Sequence, residues 1–291
     1  MTKLDFFQSE LLNRLDKIIT SIENISSPHV RDPSEILKLS DNFIWDAQTI
    51  SLIPINNKKY LQLDLLKTID SAKELLYQNT LQFAQGYNAN NCLLWGARGM
   101  GKSSLVKAVH TEITKIHKIK LIEIYKNDLN SLSLLLRLLA DQPYRFILFC
   151  DDLSFDSQDQ NYKFLKSILE GGLIQSPENL IVYATSNRKH LLAREIIENQ
   201  QANAINNTEV LDEKISLADR FGLWIGFHKI SQTEYLQIID HYVEYFKLPI
   251  PDNYNLHQEA LMWSITRASR SGRTAWQFIQ NLAGLIKYKL P

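Results

Sequence analysis

Cys92-Leu93-Leu94-Trp95-Gly96-Ala97-Arg98-Gly99-Met100-Gly101-Lys102-Ser103-Ser104-Leu105-Val106-Lys107-Ala108-Val109 is the stretch on which the reading of this chain turns. A short apolar run leads into a glycine-rich turn, and the turn leads into a segment with helical spacing. Gly96 and the Gly101-Lys102-Ser103 triplet bracket four residues, which is the phosphate-binding loop pattern in its expected setting of strand, turn and helix. A triphosphate is held there by backbone N–H groups, and glycine lets the backbone come that close in left-handed conformations. Residues Gly96, Ala97, Arg98, Gly99, Met100, Gly101, Lys102, Ser103 and Ser104 are therefore the candidate nucleotide cradle. The positive end of the following helix faces the anion, the Lys102 ammonium reaches the outer phosphates, and the Ser103 hydroxyl is placed to ligate magnesium.

Working outward, the 291 residues are enough for one large domain or two smaller ones, and a 45% hydrophobic content supports a buried core. Lys plus Arg (32) balance Asp plus Glu (32), so no global field draws the chain to nucleic acid or to an anionic membrane. No apolar run is long enough to cross a bilayer and the N-terminus lacks a secretory pattern, so a cytoplasmic protein is expected. Cys92 and Cys150 each fall in an apolar strand-like run, as buried thiols do, with no zinc spacing.

Downstream of the loop, Lys120 to Tyr125 reads as a strand and Leu129 to Leu139 as a helix. Phe146-Ile147-Leu148-Phe149-Cys150 is a continuous apolar strand, the mark of burial on both faces of a parallel sheet, and it ends in Asp151-Asp152. Ligands of open α/β sheets lie at the carboxyl ends of strands, so Asp151 is a candidate magnesium ligand and Asp152 a candidate to orient or deprotonate water. Read alone, the acidic pair could equally be a polar turn. Tyr162 to Leu169 reads as a helix ended by Gly171-Gly172. Leu180 to Ala184 is another strand, and Asn187 just beyond it can position water against a terminal phosphate or serve as a turn residue. Residues 198–209 are rich in Asn and Gln without apolar period, as in a long loop. Asp219-Arg220-Phe221-Gly222 precedes a short strand, Leu223 to Phe227. Three helices follow, over 234–246, 258–269 and 274–287. Arg267, Arg270 and Arg273 recur at three-residue spacing, either as a solvated face or as cations with a partner, with Arg273 at a helix start.

Upstream, Leu4, Leu11, Ile18 and Ile25, with Leu15 and Ile22 between them, place an amphipathic stripe on a helix, and Pro28 and Pro33 break it. Ser34 to Trp45 reads as a second helix whose Phe43, Ile44 and Trp45 form a cluster that is buried or faces a partner, with core burial the default. Thr49 to Leu65 reads as short extended pieces or loop, and Asp70 to Gln85 as a helix closed by Gly86.

In this order the motifs resemble those of the AAA+ ATPases over Leu65 to Lys289. The runs around Asn90 to Gly96, Asp151 to Phe155 and Ser216 to Trp224 are similar to those of an uncharacterised bacterial group within that superfamily. The resemblance implies an α/β P-loop NTPase fold of three layers with a parallel sheet and a C-terminal helical lid. The expected division is a mainly helical N-terminal adaptor region (1–64), the nucleotide-binding domain (65–228) and the lid (229–291). It also implies ATP and Mg2+ as cofactors, Lys102 and Ser103 as the first nucleotide motif, and Asp151 and Asp152 as the second. Asn187 matches the first sensor, Arg220 the arginine finger and Arg273 the second sensor. A finger at Arg220 would complete a neighbour's site, which implies a homo-oligomer; an arginine paired with Asp219 or Glu213 is the alternative. Many such motors carry Asp-Glu where this chain has Asp-Asp. The shorter side chain holds its carboxylate farther from water, which points to slow hydrolysis, with Asp156 as a substitute base. The expected function is an oligomeric remodeller or loader of a protein partner. A nucleic-acid-directed switch, a nucleotide-bound scaffold and a small-molecule kinase stand as alternatives.

Overall fold

The computed structural model describes residues 33–56, 61–154, 162–169, 177–187 and 217–290. The stripe at 4–25, the Gly171-Gly172 stop, Asp156, Glu213 and the 198–209 segment lie outside them. The described chain runs α1 (Pro33–Leu37), β1 (Asn42–Asp46), β2 (Ser51–Pro54), α2 (Asp70–Ala84), β3 (Cys92–Gly96), α3 (Lys102–Ile113), β4 (Ile119–Glu123), α4 (Leu132–Ala140), β5 (Arg145–Cys150), α5 (Tyr162–Leu169), β6 (Leu180–Ser186), β7 (Leu223–Phe227), α6 (Gln232–Phe246), α7 (Leu256–Thr266) and α8 (Gly272–Leu285).

The strands form one seven-stranded sheet in the order β2-β1-β4-β5-β6-β3-β7. Every neighbouring pair is parallel except β1 with β2. The apolar runs of the central strands are continuous because both faces are covered. In β5, Phe146, Leu148 and Cys150 enter one core with α4 and α5, while Ile147 and Phe149 enter the other with α2 and α3. Strand β6 repeats the division, with Val182 and Ala184 on the first face and Ile181 and Tyr183 on the second. Period-two alternation assigns each side chain to a face, and helices supplied by the crossovers close both faces. A third core, built on Tyr235, Ile239, Phe278 and Ile279, belongs to the C-terminal helices α6 to α8. The cap of α6 is a reciprocal box: the Ser231 hydroxyl accepts from Glu234 N, and the Glu234 carboxylate accepts from Ser231 N.

One expectation is overturned. Ser34 to Trp45 is not a continuous helix: it holds the last four residues of the five-residue α1, a turn, and most of strand β1. Phe43 and Trp45 are buried as expected, but by alternation along a strand, with Asn42, Ile44 and Asp46 less buried between them. β1 pairs in parallel with β4, Asn42 opposite Leu121 and Ile44 opposite Glu123, and so belongs to the sheet rather than to a helical region ahead of it. Three hydrogen bonds anchor it and the turn before it. The buried Lys120 ammonium donates to Ser40 O at 2.8 Å and to the Asp41 carboxylate at 2.7 Å, and Trp45 Nε1 donates to Ser131 Oγ at 2.7 Å. A five-residue run of alternating burial is too short for periodicity to separate strand from helix, and the partner strand decides.

Candidate nucleotide site at the carboxyl end of the sheet

The turn after β3 is shaped by two close approaches. Gly96 has φ of 127°, and a Cβ there would lie 2.0 Å from the Phe227 carbonyl oxygen, which itself accepts from Ala97 N at 2.9 Å. Gly99 has φ of 75°, and a Cβ there would lie 2.9 Å from Ser271 Oγ. These glycines are thus required by β7 and by the start of α8 as well as by the left-handed backbone. Gly101, also left-handed, is the N-cap of α3. The lid meets the loop through the main chain, because Arg273 N donates to Gly99 O at 3.0 Å. Ser271 caps α8, accepting from Thr274 N.

A cleft of about 780 Å3 opens at this point. Its lining includes Arg98 to Ser104, Asp151, Asp152, Thr185, Asn187 and Arg273. The structure therefore brings together Lys102, Ser103, Asp151, Asp152, Asn187 and Arg273, which are spread over most of the sequence. Lys102 is 7% exposed, and its ammonium donates to Gly96 O at 2.8 Å, Ala97 O at 2.9 Å and Asn187 Oδ1 at 3.1 Å. Burial holds the Lys102 pKa below its ordinary value; the carboxylates of Asp152 and Asp151 oppose that, and Arg273 and Arg98 add to it.

The two aspartates have different surroundings. Asp151 Oδ1 accepts from Ser103 Oγ at 2.5 Å, from Thr185 Oγ1 at 2.5 Å and from Asp152 N at 3.1 Å. Asp152 is in the left-handed region, φ 51°, a conformation that Asp tolerates better than most residues. Its N–H also donates to Thr185 Oγ1 at 2.9 Å, and its Oδ1 accepts from Asn187 Nδ2 at 2.5 Å. Thr185, 1% exposed, lies inside β6 just after its apolar run and was not singled out from the sequence. Its hydroxyl donates to the Asp151 carboxylate and accepts from the Asp152 main chain, and so ties the two aspartates together. Ser103 and Asp151 supply an adjacent hydroxyl and carboxylate, the hard oxygen donors that suit Mg2+, which takes few protein ligands and completes its shell with phosphate and water.

The cleft also has an apolar lining, Leu61, Leu65, Leu66 and Ile69 from the chain ahead of α2 and Ile238, Tyr242 and Trp276 from the C-terminal helices. Tyr242 and Trp276 meet edge to face with ring centroids 5.5 Å apart. The lid is also tied to the chain ahead of α2: His241 Nε2 lies 2.9 Å from Asp64 O, and Tyr245 OH donates to Gln62 Oε1. Sequence reading missed this wall because its residues come from a loop and from helices far along the chain.

Arg220 stands apart and does not line the cleft. It is exposed on the turn before β7, at the amino end of the sheet. The turn is rigidly seated: Phe221 is 2% exposed, its carbonyl accepts from Trp224 Nε1 at 2.9 Å, and a Cβ on Gly222 would lie 2.3 Å from Asn90 Oδ1. The arginine cluster near α8 is divided. Arg273 faces the cleft, Arg267 stacks 3.4 Å over the Trp263 ring, and Arg270 is exposed.

Among the described residues no helix is long and apolar enough to cross a membrane. Comparison with solved structures finds Aeropyrum pernix ORC1 in complex with DNA at a TM-score of 0.52 and 13% identity, covering 73% of this chain and 58% of that one. A point mutant of Thermotoga maritima RuvB is matched at a TM-score of 0.49 and 18% identity, over 78% of this chain and 69% of that one. The strand order and the ORC1 match identify the fold as the AAA+ form of the P-loop NTPase fold. No curated protein matches the sequence. The family model described as "Protein of unknown function (DUF815)" matches residues 38–286, and the chain belongs to that family.

Proposed function

We propose that this protein binds ATP with Mg2+ in the cleft, hydrolyses it slowly, and acts as a homo-oligomer that remodels or loads a protein partner. The observation that carries the reading is the opposition of two ends of one sheet: Lys102, Ser103, Asp151, Asp152, Asn187 and Arg273 around one cleft, and Arg220 at the far edge. In this reading the loop N–H groups and Lys102 hold the phosphates, Arg273 adds a cation from the lid, and the apolar lining residues receive the base. Ser103 and Asp151 would hold Mg2+, which neutralises charge on the β- and γ-phosphate oxygens when bound. Asp152, oriented by Thr185 and Asn187, takes the proton of the attacking water or aligns it. Its short side chain accounts for a slow rate.

The register of β7 on β3 supports an oligomer. Leu223 pairs with Cys92 and Phe227 with Gly96, so the strand separates Arg220 from the loop of its own chain by about 13 Å before its three-residue offset is added. That is more than an arginine side chain spans. An exposed arginine on a rigid turn can instead be presented to a second protomer's cleft, where a donated guanidinium stabilises transition-state charge. The balanced net charge and the stacking of Arg267 on Trp263 give nucleic acid less to hold than a basic stripe would.

The test is turnover per protomer against protomer concentration, for wild type and Arg220→Ala. A rate that rises with concentration in the wild type and collapses in the variant, with ATP affinity kept, is the expected result. A flat, mutation-insensitive profile would replace the shared site with a self-contained one. Tight binding with no turnover at any concentration would make the protein a nucleotide-bound scaffold.

A further inference from the structure

We infer that Trp224 is a positioning residue for Arg220: its indole N–H holds the turn in the seat from which the guanidinium is presented to a neighbour's cleft. The inference rests on the shared-site reading above and names what the donating protomer must keep in place. It starts from the burial of the turn. Leu217 and Ala218 are fully buried and Phe221 nearly so, whereas Asp219 and Arg220 between them are exposed. Three apolar anchors thus face the core and aim the two charged residues outward. Main-chain bonds close the turn, Arg220 N donating to Leu217 O at 3.3 Å and Phe221 N to Ala218 O at 3.1 Å.

The exit from the turn is held by a side chain. Trp224 Nε1 donates to Phe221 O at 2.9 Å, and the indole is wide and stiff. Trp224 is itself set by β7, opposite Leu93 of β3, and packs against the same core as Phe221. The sheet register therefore reaches, through the indole, the carbonyl of the residue next to Arg220. On the other side the turn meets a fixed main chain. A Cβ on Gly222 would lie 2.3 Å from Asn90 Oδ1 and 2.8 Å from Asn90 Cγ. Gly222 is not left-handed, so lack of room, rather than backbone conformation, keeps a side chain out. The buried Asn79 of α2 grips both main-chain groups of Asn90, its Nδ2 donating to Asn90 O at 2.8 Å and its Oδ1 accepting from Asn90 N at 3.0 Å. A guanidinium whose root is clamped in this way loses less freedom when it meets a second protomer, and a small displacement of that root is costly to the reaction.

Trp224→Phe keeps an aromatic ring on the core and deletes the donor. ATP turnover, ATP affinity and thermal unfolding are measured on full-length variants, alone and in equimolar mixtures, at a concentration where wild-type turnover has stopped rising. Alone, Trp224→Phe is expected to turn over about tenfold more slowly, the scale on which one hydrogen bond biases a conformation, with ATP affinity unchanged and a cooperative unfolding transition. Added Lys102→Ala, whose cleft is disabled but whose Arg220 turn is intact, should raise turnover per Trp224→Phe protomer severalfold. Added Arg220→Ala should not. Arg220→Ala mixed with Lys102→Ala is the control, and no recovery there removes the shared site and the inference with it. Recovery in the control, together with full turnover of Trp224→Phe or a loss that Lys102→Ala does not repair, overturns the role of Trp224 and leaves the shared site standing. Should Trp224→Phe not fold, Gly222→Ala presses the turn from the Asn90 side and is held to the same mixtures. Asn90→Ala in the same chain, which removes Oδ1 and Cγ, is then expected to restore turnover.

Discussion

The two ends of the central sheet are built from similar residues to different purposes. At the carboxyl end the polar groups converge on a cleft: Lys102, Ser103, Asp151, Asp152, Thr185 and Asn187 are bonded to one another and face an open volume. At the amino end the polar groups are turned into the fold. Asn79 donates to Asn90 O and Tyr183 OH, Lys120 binds Asp41, and His110 Nε2 lies 3.2 Å from Ile119 O inside the core. Arg220 differs from them in its exposure, on a turn anchored by the buried Leu217, Ala218 and Phe221. The contrast teaches that polarity at a strand end is not itself a sign of function. What separates the ends is whether the groups face each other across a cavity or terminate in the fold.

The sharpest way to break the contrast is to remove the exposed arginine. Arg220→Ala should lower turnover by about 10³, the lower range for an arginine supplied by a neighbour, while leaving ATP affinity and the unfolding midpoint unchanged. Parallel turnover and binding titrations decide it, and an equal loss of stability would return Arg220 to the structural set.

The amino end is probed next through pH. Burial depresses His110 to about 4 from an ordinary 6.5, so the folded protein keeps the ring neutral while the unfolded chain takes up a proton. Its contribution is complete above about pH 6.5, declines as pH falls toward 4, and changes no further below that, a loss on the order of 3 kcal/mol. Denaturant unfolding at a series of pH values should show this slope, and His110→Gln should flatten it in that window without changing turnover per folded molecule.

At the carboxyl end, Lys102→Ala should weaken ATP binding about a hundredfold, the scale of a charge-assisted hydrogen bond removed from a partly buried site, with calorimetric titration as the readout. The smallest expected effect sharpens the contrast most. Thr185→Val keeps the shape of a buried side chain and deletes only the hydroxyl that holds Asp151 and Asp152. A fall in turnover of about tenfold, with ATP affinity preserved, would mark it as a positioning group; a drop in stability alone would place it with Asn79 and Tyr183.

Much of this was legible before folding. The glycine loop, the apolar strand ending in Asp151-Asp152 and the strand ahead of Asn187 are contiguous, and contiguous patterns survive in a string of letters. Other features were not. Phe43 to Trp45 reads as the end of a helix, and the strand pairing that overrules this, Asn42 to Ile44 with Leu121 to Glu123, is a contact over nearly eighty positions. Thr185 looks like an ordinary polar residue until its hydroxyl is found between the Asp151 carboxylate and the Asp152 main-chain N–H. Gly99 reads as a phosphate-loop glycine, yet the atoms crowding it belong to Ser271 and Arg273 of the lid.

By itself the sequence determined the loop, the apolar core strands and the chemical types available at their ends, because backbone freedom, side-chain period and charge are properties of neighbouring residues. Only the tertiary structure decided which of those groups meet. The parallel order of β3, β6 and β5 sets Lys102, Asn187 and Asp152 side by side, and the parallel register of β7 leaves Arg220 at the opposite edge. Strand order and register are fixed by burying both faces of the sheet at once, a condition that no local stretch of chain can express.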